Sequence, residues 1–242
     1  MKAMIFAAGL GTRLKPLTDE IPKALVKING MTLLEIAVKK LSSQGINDII
    51  INVHHFAEKV KAYLKEKNNF NINIAVSDES DELLDTGGGL KKASWFLNDG
   101  KSFLIYNVDI LSDIDLKGLI DFQEKSNTLA TLAVRQRKTS RYLLFNANNM
   151  LCGWQNEETK EIRIVRNFEK YLNVAAFSGI QVISPVIFDL ITEEGKFSLV
   201  NLYLRLCENN RIIAYYHNED NWMDVGKLED LSKAKDFFIF NF

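Results

Sequence analysis

The chain has 242 residues, 47% of them hydrophobic, which suits one large α/β domain or two small ones with a sizeable core. Thirty Lys and Arg offset thirty-one Asp and Glu, so no global basic field points to DNA or RNA, and positive charge for an anionic ligand must be concentrated locally. No apolar run reaches the roughly 20 residues of a membrane-spanning helix, and Cys152 and Cys207 show neither metal spacing nor a disulfide framework, so a cytoplasmic location is expected.

Strand and helix signals alternate from the start. Met1 to Gly9 superficially resembles a short signal peptide, but Gly9-Leu10-Gly11-Thr12-Arg13 interrupts it, and Ala3 to Ala7 reads as a buried first strand. Thr32 to Ser43 carries apolar residues at helical spacing, with Gly45 as its stop. Asp48 to Val53 is a β-branched, apolar strand, Phe56 to Lys67 a charged amphipathic helix, and Ile72 to Val76 a third strand. Thr86 to Leu97 reads as one helix capped by Thr86, Ser102 to Val108 as a strand, Leu116 to Lys125 as a helix with Asp115 as N-cap, and Leu129 to Val134 as a strand. This order predicts an α/β, Rossmann-like, mostly parallel sheet with helices on both faces. Ligands of such sheets sit at the strands' carboxyl ends, where Gly9, Gly11 and Asp109 all fall.

From Arg137 to Phe177 the pattern changes. Tyr142 to Phe145 and Glu161 to Val165 are short runs separated by turn clusters, and they predict a small antiparallel hairpin region. Ala175 to Ile183 reads as a strand, and Leu199 to Glu208 and Leu228 to Phe238 as helices. With no linker or repeat, residues 1–242 read as one continuous domain, divided near residue 135.

Gly9-Leu10-Gly11-Thr12-Arg13 through Pro22-Lys23 carries the chemistry. Two glycines after a strand let backbone N–H groups approach an anion, Arg13 offers a planar fork for phosphate, and Lys23 adds a point charge beside a restricting proline. The string is neither a P-loop nor a complete dinucleotide fingerprint. Gly9, Gly11, Arg13, Pro16, Thr18, Pro22 and Lys23 together resemble the signature of the sugar-1-phosphate nucleotidyltransferases. Further matches are Thr86-Gly87-Gly88-Gly89, Asn107-Val108-Asp109, Phe177-Ser178-Gly179-Ile180 and Trp222-Met223-Asp224-Val225-Gly226. The look is nearest to short single-domain N-acetylmuramate-1-phosphate uridylyltransferases, with mannose-1-phosphate guanylyltransferases close behind.

The resemblance implies transfer of a nucleotidyl group from a nucleoside triphosphate to a sugar-1-phosphate, releasing pyrophosphate. It implies a nucleotide-binding part over about 1–135 and a sugar-binding part over about 136–242. Arg13 would hold the departing pyrophosphate and Lys23 the α-phosphate, while Asp109 and Asp224 would ligate Mg²⁺. Ala8, Gly9, Gly11, Thr12, Gly87 and Gly88 would contact the nucleotide. Gly179, Glu169 and Lys170 would meet the sugar phosphate, although Tyr171 replaces the proline that usually follows the Glu-Lys pair. Val108 stands where the family more often has glycine. The chain carries no hexapeptide repeat after Trp222, so no acetyltransferase activity is expected.

Two rivals remain open at this level: cytidylyl transfer to a non-sugar phosphate such as phosphocholine, and a catalytically silent nucleotide-sugar sensor. A nicotinamide enzyme is disfavoured because Val53-His54-His55 stands where the second strand would end in an acid for the ribose. His54 and His55 read as loop or surface residues, and Asp113 as incidental. The five acids of Ser77 to Asp85 read as a solvated loop, and the aromatic tail from Phe237 as core or a dimer patch. The nucleobase, the sugar and the choice between monomer and homo-oligomer are not encoded in these patterns.

Overall fold

A computed structural model of the chain describes residues 1–167 and 171–237. The first half runs β1 (Lys2–Phe6), β2 (Lys27–Ile28), β3 (Met31–Thr32), α1 (Leu33–Ser43), β4 (Asp48–Val53), α2 (Ala57–Glu66) and β5 (Asn73–Asp78). Next come α3 (Asp85–Lys92), α4 (Ser94–Leu97), β6 (Phe103–Asn107), β7 (Ile110–Ser112), α5 (Leu116–Ser126) and β8 (Ala130–Arg135). The rest is β9 (Arg141–Phe145), β10 (Leu151–Asn156), β11 (Ile162–Ile164), β12 (Asn173–Ile183), α6 (Ile187–Leu190), α7 (Leu199–Leu206), β13 (Ile212–Tyr216), β14 (Trp222–Asp224) and α8 (Leu228–Phe237).

β6, β1, β4 and β5 form a parallel core in that spatial order. β12 runs antiparallel to β6, β8 runs antiparallel to β12, and β13 lies parallel to β8. Only β12 is therefore reversed within this body, and the expected mostly parallel Rossmann-like sheet is present. The first residues of β12 also pair with β9, which continues through β10 to β11 as an antiparallel meander. β4 lies on one side of β1 and β6 on the other, so the chain switches direction beside the carboxyl end of β1.

Each sheet face carries its own apolar cluster. One joins Leu34, Val38 and Leu41 of α1, Val60 and Leu64 of α2, Leu116 and Leu119 of α5, and Ala234 of α8 to one side of the sheet. The other joins Leu90, Phe96, Ile187, Leu202 and Leu206, from α3, α4, α6 and α7, to the opposite side. Central strands buried on both faces explain why β4 and β6 read as near-continuous apolar runs rather than alternating ones.

Several local expectations need correction. The Thr86–Leu97 segment breaks at Ala93 into α3 and α4. Thr86 does not cap it: its hydroxyl accepts from the Leu199 backbone N–H at 3.0 Å. Asp115 occupies the N-cap position of α5, but its side chain makes no capping bond. Trp222–Asp224, for which no element was expected, is a strand paired antiparallel with β7 so that Asp224 faces Ile110. β10 and β13 add two strands to those expected from the sequence, and the tail from 238 to 242 lies outside the described residues. No helix among the described residues is long and apolar enough to cross a membrane.

Gly179 sits in a bulge of β12, where the register with β8 shifts between Phe177 and Gln181. Its φ is +75°, and a Cβ there would stand 2.9 Å from Asn107 Nδ2 and from Ile110 Cγ1. Both the left-handed backbone and the close neighbours require glycine. Gly179→Ala is expected to lower stability by about 1–3 kcal/mol in denaturant unfolding. A midpoint equal to that of the unsubstituted chain would mean that the bulge relaxes freely.

Candidate active site

A cavity of about 380 Å³ opens at the carboxyl end of the parallel core. Ala7, Ala8 and Gly9 follow β1, Asn52 comes from β4, Glu79 follows β5, and Asn107, Val108 and Asp109 end or follow β6. Lys23, Leu83, Asp85, Thr86 and Lys196 complete much of the wall. Asn52 ties the strand ends together. Its Oδ1 accepts from Ala7 N–H at 2.8 Å, and its Nδ2 donates to Glu79 Oε1 at 2.8 Å. Glu79 is wholly buried, and that burial pushes its carboxyl group above the usual carboxylate range, against the hydrogen bond from Asn52. The acidic loop is thus only partly solvated.

The glycine-rich loop folds back on itself. Gly11 has a φ of +66°, and a Cβ there would meet Thr18 Cγ2 at 2.9 Å. Thr18 is buried and donates from Oγ1 to Gly11 O at 2.8 Å. Thr12 and Arg13 then enter a short 3-10 turn, Thr12–Leu14. A second such turn, Lys23–Leu25, begins after Pro22 and holds Lys23 with 9% of its surface exposed.

The charged centre lies where the two motif regions meet. Lys23 Nζ is ion-paired with Asp109 Oδ2. Val225 N–H donates to Asp109 O at 2.9 Å, which brings Asp224 beside Asp109. Burial raises the Asp224 carboxyl above its ordinary value, the Asp109 charge raises it further, and Lys23, Arg13 and Arg137 oppose both effects. Asp224 Oδ1 is buried and has no hydrogen-bond donor among the described residues. A Cβ at position 226 would stand 2.8 Å from both Arg13 Nη2 and Asp224 Oδ1, so this glycine lets cation and carboxylate flank the chain.

Those two carboxylates, one with an orphaned oxygen, suit a hard divalent cation that fills its remaining positions with water and phosphate oxygens. They are not a closed protein cage, because no group of three or more His, Cys, Asp or Glu among the described residues could hold a metal.

Beyond Asp224 a second cleft of about 600 Å³ is lined by Arg13, Arg137, Lys138, Trp222, Asp224 and Lys227, among others. The Arg137 guanidinium lies 4.5 Å from the Trp222 ring centroid. Trp222 Nε1 donates to Ser178 O at 2.9 Å, and the Ser178 hydroxyl meets His217 Nε2 at 2.6 Å. Burial, and then the Arg135 charge, push His217 down to about 4.

Ala8, Gly9, Lys23 and Asp109 all line the first cavity, while Arg13 and Asp224 line the second. Gly87 and Gly88 are placed differently: both N–H groups donate to Phe197 O, at 2.9 and 3.3 Å, and both residues are buried against the Gly195–Phe197 segment. Asp85 and Thr86, the two residues just before them, line the cavity instead. Gly179 abuts Asn107, which lines the cavity, so the space freed by its missing Cβ is taken by that side chain. Glu169 and Lys170 lie outside the described residues. Val108 sits in the wall with its N–H on Phe6 O at 3.1 Å. His54 bonds Glu79 O through Nδ1 at 2.6 Å, a loop-bracing role.

Sequence reasoning missed Asn52, Glu79, Asp85, Lys196 and Arg137. Asn52 carried a signal, a polar residue within an apolar strand; Glu79 was concealed in an acidic run. Arg137 was one cation among Arg135, Arg137 and Lys138.

A family model described as nucleotidyl transferase matches residues 2–239. An N-acetylmuramate alpha-1-phosphate uridylyltransferase of Caulobacter vibrioides is 41% identical over 232 residues, covering 93% of this chain and 91% of that protein. A UTP–glucose-1-phosphate uridylyltransferase of Synechocystis is 28% identical across 97% of this chain, and the chain spans 62% of that relative's length. Among solved structures, a UDP-glucose pyrophosphorylase complexed with UDP-glucose superposes with a TM-score of 0.76 over 97% of each chain, at 18% identity, a likeness of fold.

His217 generates a pH dependence of stability. Its folded pKa, about 4, lies below its ordinary 6.5, so the unfolded chain takes up this proton first. Its contribution is complete above about pH 6.5 and is lost as pH falls toward 4, by at most about 3 kcal/mol. In urea titrations between pH 7 and 4.5, His217→Gln should show a visibly shallower decline than the unsubstituted chain. Parallel declines would locate the pH sensitivity elsewhere.

Proposed function

The chain belongs to the nucleotidyl transferase family, and from that premise we propose that it joins a nucleoside triphosphate to a sugar-1-phosphate, forming a nucleotide sugar and pyrophosphate. The observation that carries this reading is the convergence of Lys23, Asp109, Arg13 and Asp224 beside a cavity at the sheet's switch point. An oxygen of the sugar phosphate attacks the α-phosphorus, the bond from that phosphorus to the bridging oxygen of the β-phosphate breaks, and pyrophosphate leaves with the electron pair. The nucleophile is already an anion near neutral pH, so no general base is required. Bringing two anions together and spreading charge over the pentavalent phosphorus is the harder task.

Each part of the site has a role in that chemistry. Residues 1–135 supply the nucleotide side, with Ala8 and Gly9 offering backbone to the triphosphate and Lys23 its charge to the α-phosphate. Arg13 receives the pyrophosphate. Residues 136–242 supply the acceptor side, and the Glu169-Lys170 pair is assigned to the sugar phosphate on resemblance alone. Asp109 and Asp224 would hold Mg²⁺. What that ion supplies when bound is neutralisation of phosphate oxygens where charge accumulates. The ion pair with Asp109 holds the Lys23 ammonium where it would meet the α-phosphate. The Gly87 and Gly88 amides are engaged by Phe197, so base and ribose contacts fall to the neighbouring Asp85 and Thr86. Both cysteines are buried and free, which fits work in a reducing cytoplasm.

The first pair to assay is UTP with N-acetylmuramate α-1-phosphate, because the 41% identical relative carries that name. A matrix of nucleoside triphosphates and sugar-1-phosphates, read by pyrophosphate release with and without Mg²⁺, should give metal-dependent turnover for at least one pair. Tight nucleotide-sugar binding without turnover would favour a sensor instead, and turnover on phosphocholine alone would redirect the acceptor.

Arg13→Ala and Lys23→Ala should each lower kcat on the order of 10²–10³-fold, as the loss of a preorganised charge contact does. Asp109→Ala and Asp224→Ala should each remove the Mg²⁺ dependence together with most of the activity. Full metal-dependent activity in either aspartate variant would refute the ligand assignment.

A further inference from the structure

Arg137 belongs to none of the family motifs in sequence but stands beside Arg13, Trp222 and Asp224 in the second cleft, and its geometry is that of a binding group. It leaves β8 and reaches across the cleft floor toward Asp224. One edge of the guanidinium donates from Nη2 to Phe177 O, a long contact of 3.2 Å. Nε is buried with no partner among the described residues. Five donors in a fixed fork, with one used weakly and another orphaned indoors, leave a planar cation short of acceptors.

The guanidinium is also held in place. Its face rests 4.5 Å from the Trp222 ring, and Trp222 is pinned by its indole N–H on Ser178 O. Ser178 is in turn held by His217 through its hydroxyl. A guanidinium fixed in this way presents its remaining donors in one direction, and a bidentate anion is the partner that uses direction. Arg13 and Asp224 stand in the same cleft, so an anion on Arg137 would lie on the opposite side of the carboxylate pair from the first cavity.

We infer that Arg137 is the residue that grips the phosphate of the acceptor and aims its oxygen at the α-phosphorus. This rests on the nucleotidyl-transfer reading above and adds to it a specific side chain. The fork takes two phosphate oxygens and leaves the third free to attack. The charge offsets the repulsion between acceptor and triphosphate, and Trp222 presents an apolar face beside the sugar. Lys138 at the rim draws the anion in without fixing its orientation.

The test compares the unsubstituted chain with R137K and R137Q, using whichever substrate pair the turnover matrix selects. R137Q should lose on the order of 10²-fold in kcat/KM for the acceptor, with the KM for the nucleoside triphosphate and the thermal midpoint unchanged. R137K, which keeps the charge but not the fork, should fall between the two. A parallel calorimetric titration uses inorganic phosphate, with pyrophosphate present to occupy the Arg13 side. The unsubstituted chain should bind phosphate, and R137Q should bind it at least about tenfold more weakly.

Three results would overturn the inference: equal phosphate affinity in R137Q, no phosphate binding by the unsubstituted chain, or a rise in the nucleoside triphosphate KM as large as that for the acceptor. A lowered thermal midpoint with acceptor and nucleotide kinetics equally damaged in R137K would mark the residue as structural. Absence of turnover with every substrate pair would instead sink the nucleotidyl-transfer reading, while the phosphate titration still decides whether Arg137 is an anion site.

Discussion

Pairing of β14 with β7 is the contact on which the site depends. It sets Asp224 opposite Ile110 and fastens Val225 to Asp109, so two carboxylates more than a hundred residues apart in sequence become neighbours. Like charges at this range repel, and burial of Asp224 adds a desolvation cost. Lys23 on Asp109 and Arg13 beside Asp224 offset that cost. The arrangement is short of positive charge on one carboxylate oxygen and well supplied around it.

The remainder of the fold serves to keep those groups in register. Four parallel strands end at one level, and Asn52 bonds across them to Ala7 and Glu79, so the loops that leave β1 and β5 cannot drift independently. Gly11, turned back by Thr18, delivers Arg13 to one side of the carboxylates, while Pro22 delivers Lys23 to the other. At the second cleft a chain of contacts from His217 through Ser178 and Trp222 reaches Arg137. The first network lies at the carboxyl ends of the parallel strands, and the second gathers at the β12 bulge, where the ladder with β8 is interrupted.

Much of the architecture was legible because burial imposes a period. α1, β4 and α5 lie within a residue or two of their expected bounds, since apolar spacing and end signals agree there. Glycine at 153 interrupts the apolar run of β10, and β14 has only three half-buried residues, so neither pattern announced a strand. The burial of the α3 glycines against Gly195, Phe197 and Glu79 is made by segments no local window contains.

The sequence by itself determined the α/β alternation and singled out the glycine-rich basic loop from Gly9 to Lys23 and the two aspartates, because each is written in local spacing or in a compact motif. Only the tertiary structure decided that Glu79 is buried rather than solvated, that Gly87 and Gly88 spend their amides on Phe197, and that Arg137 lines one cleft with Arg13 and Asp224. Those outcomes turn on which distant segment covers a residue, and that is set by how the strands are ordered in space, which local patterning does not encode.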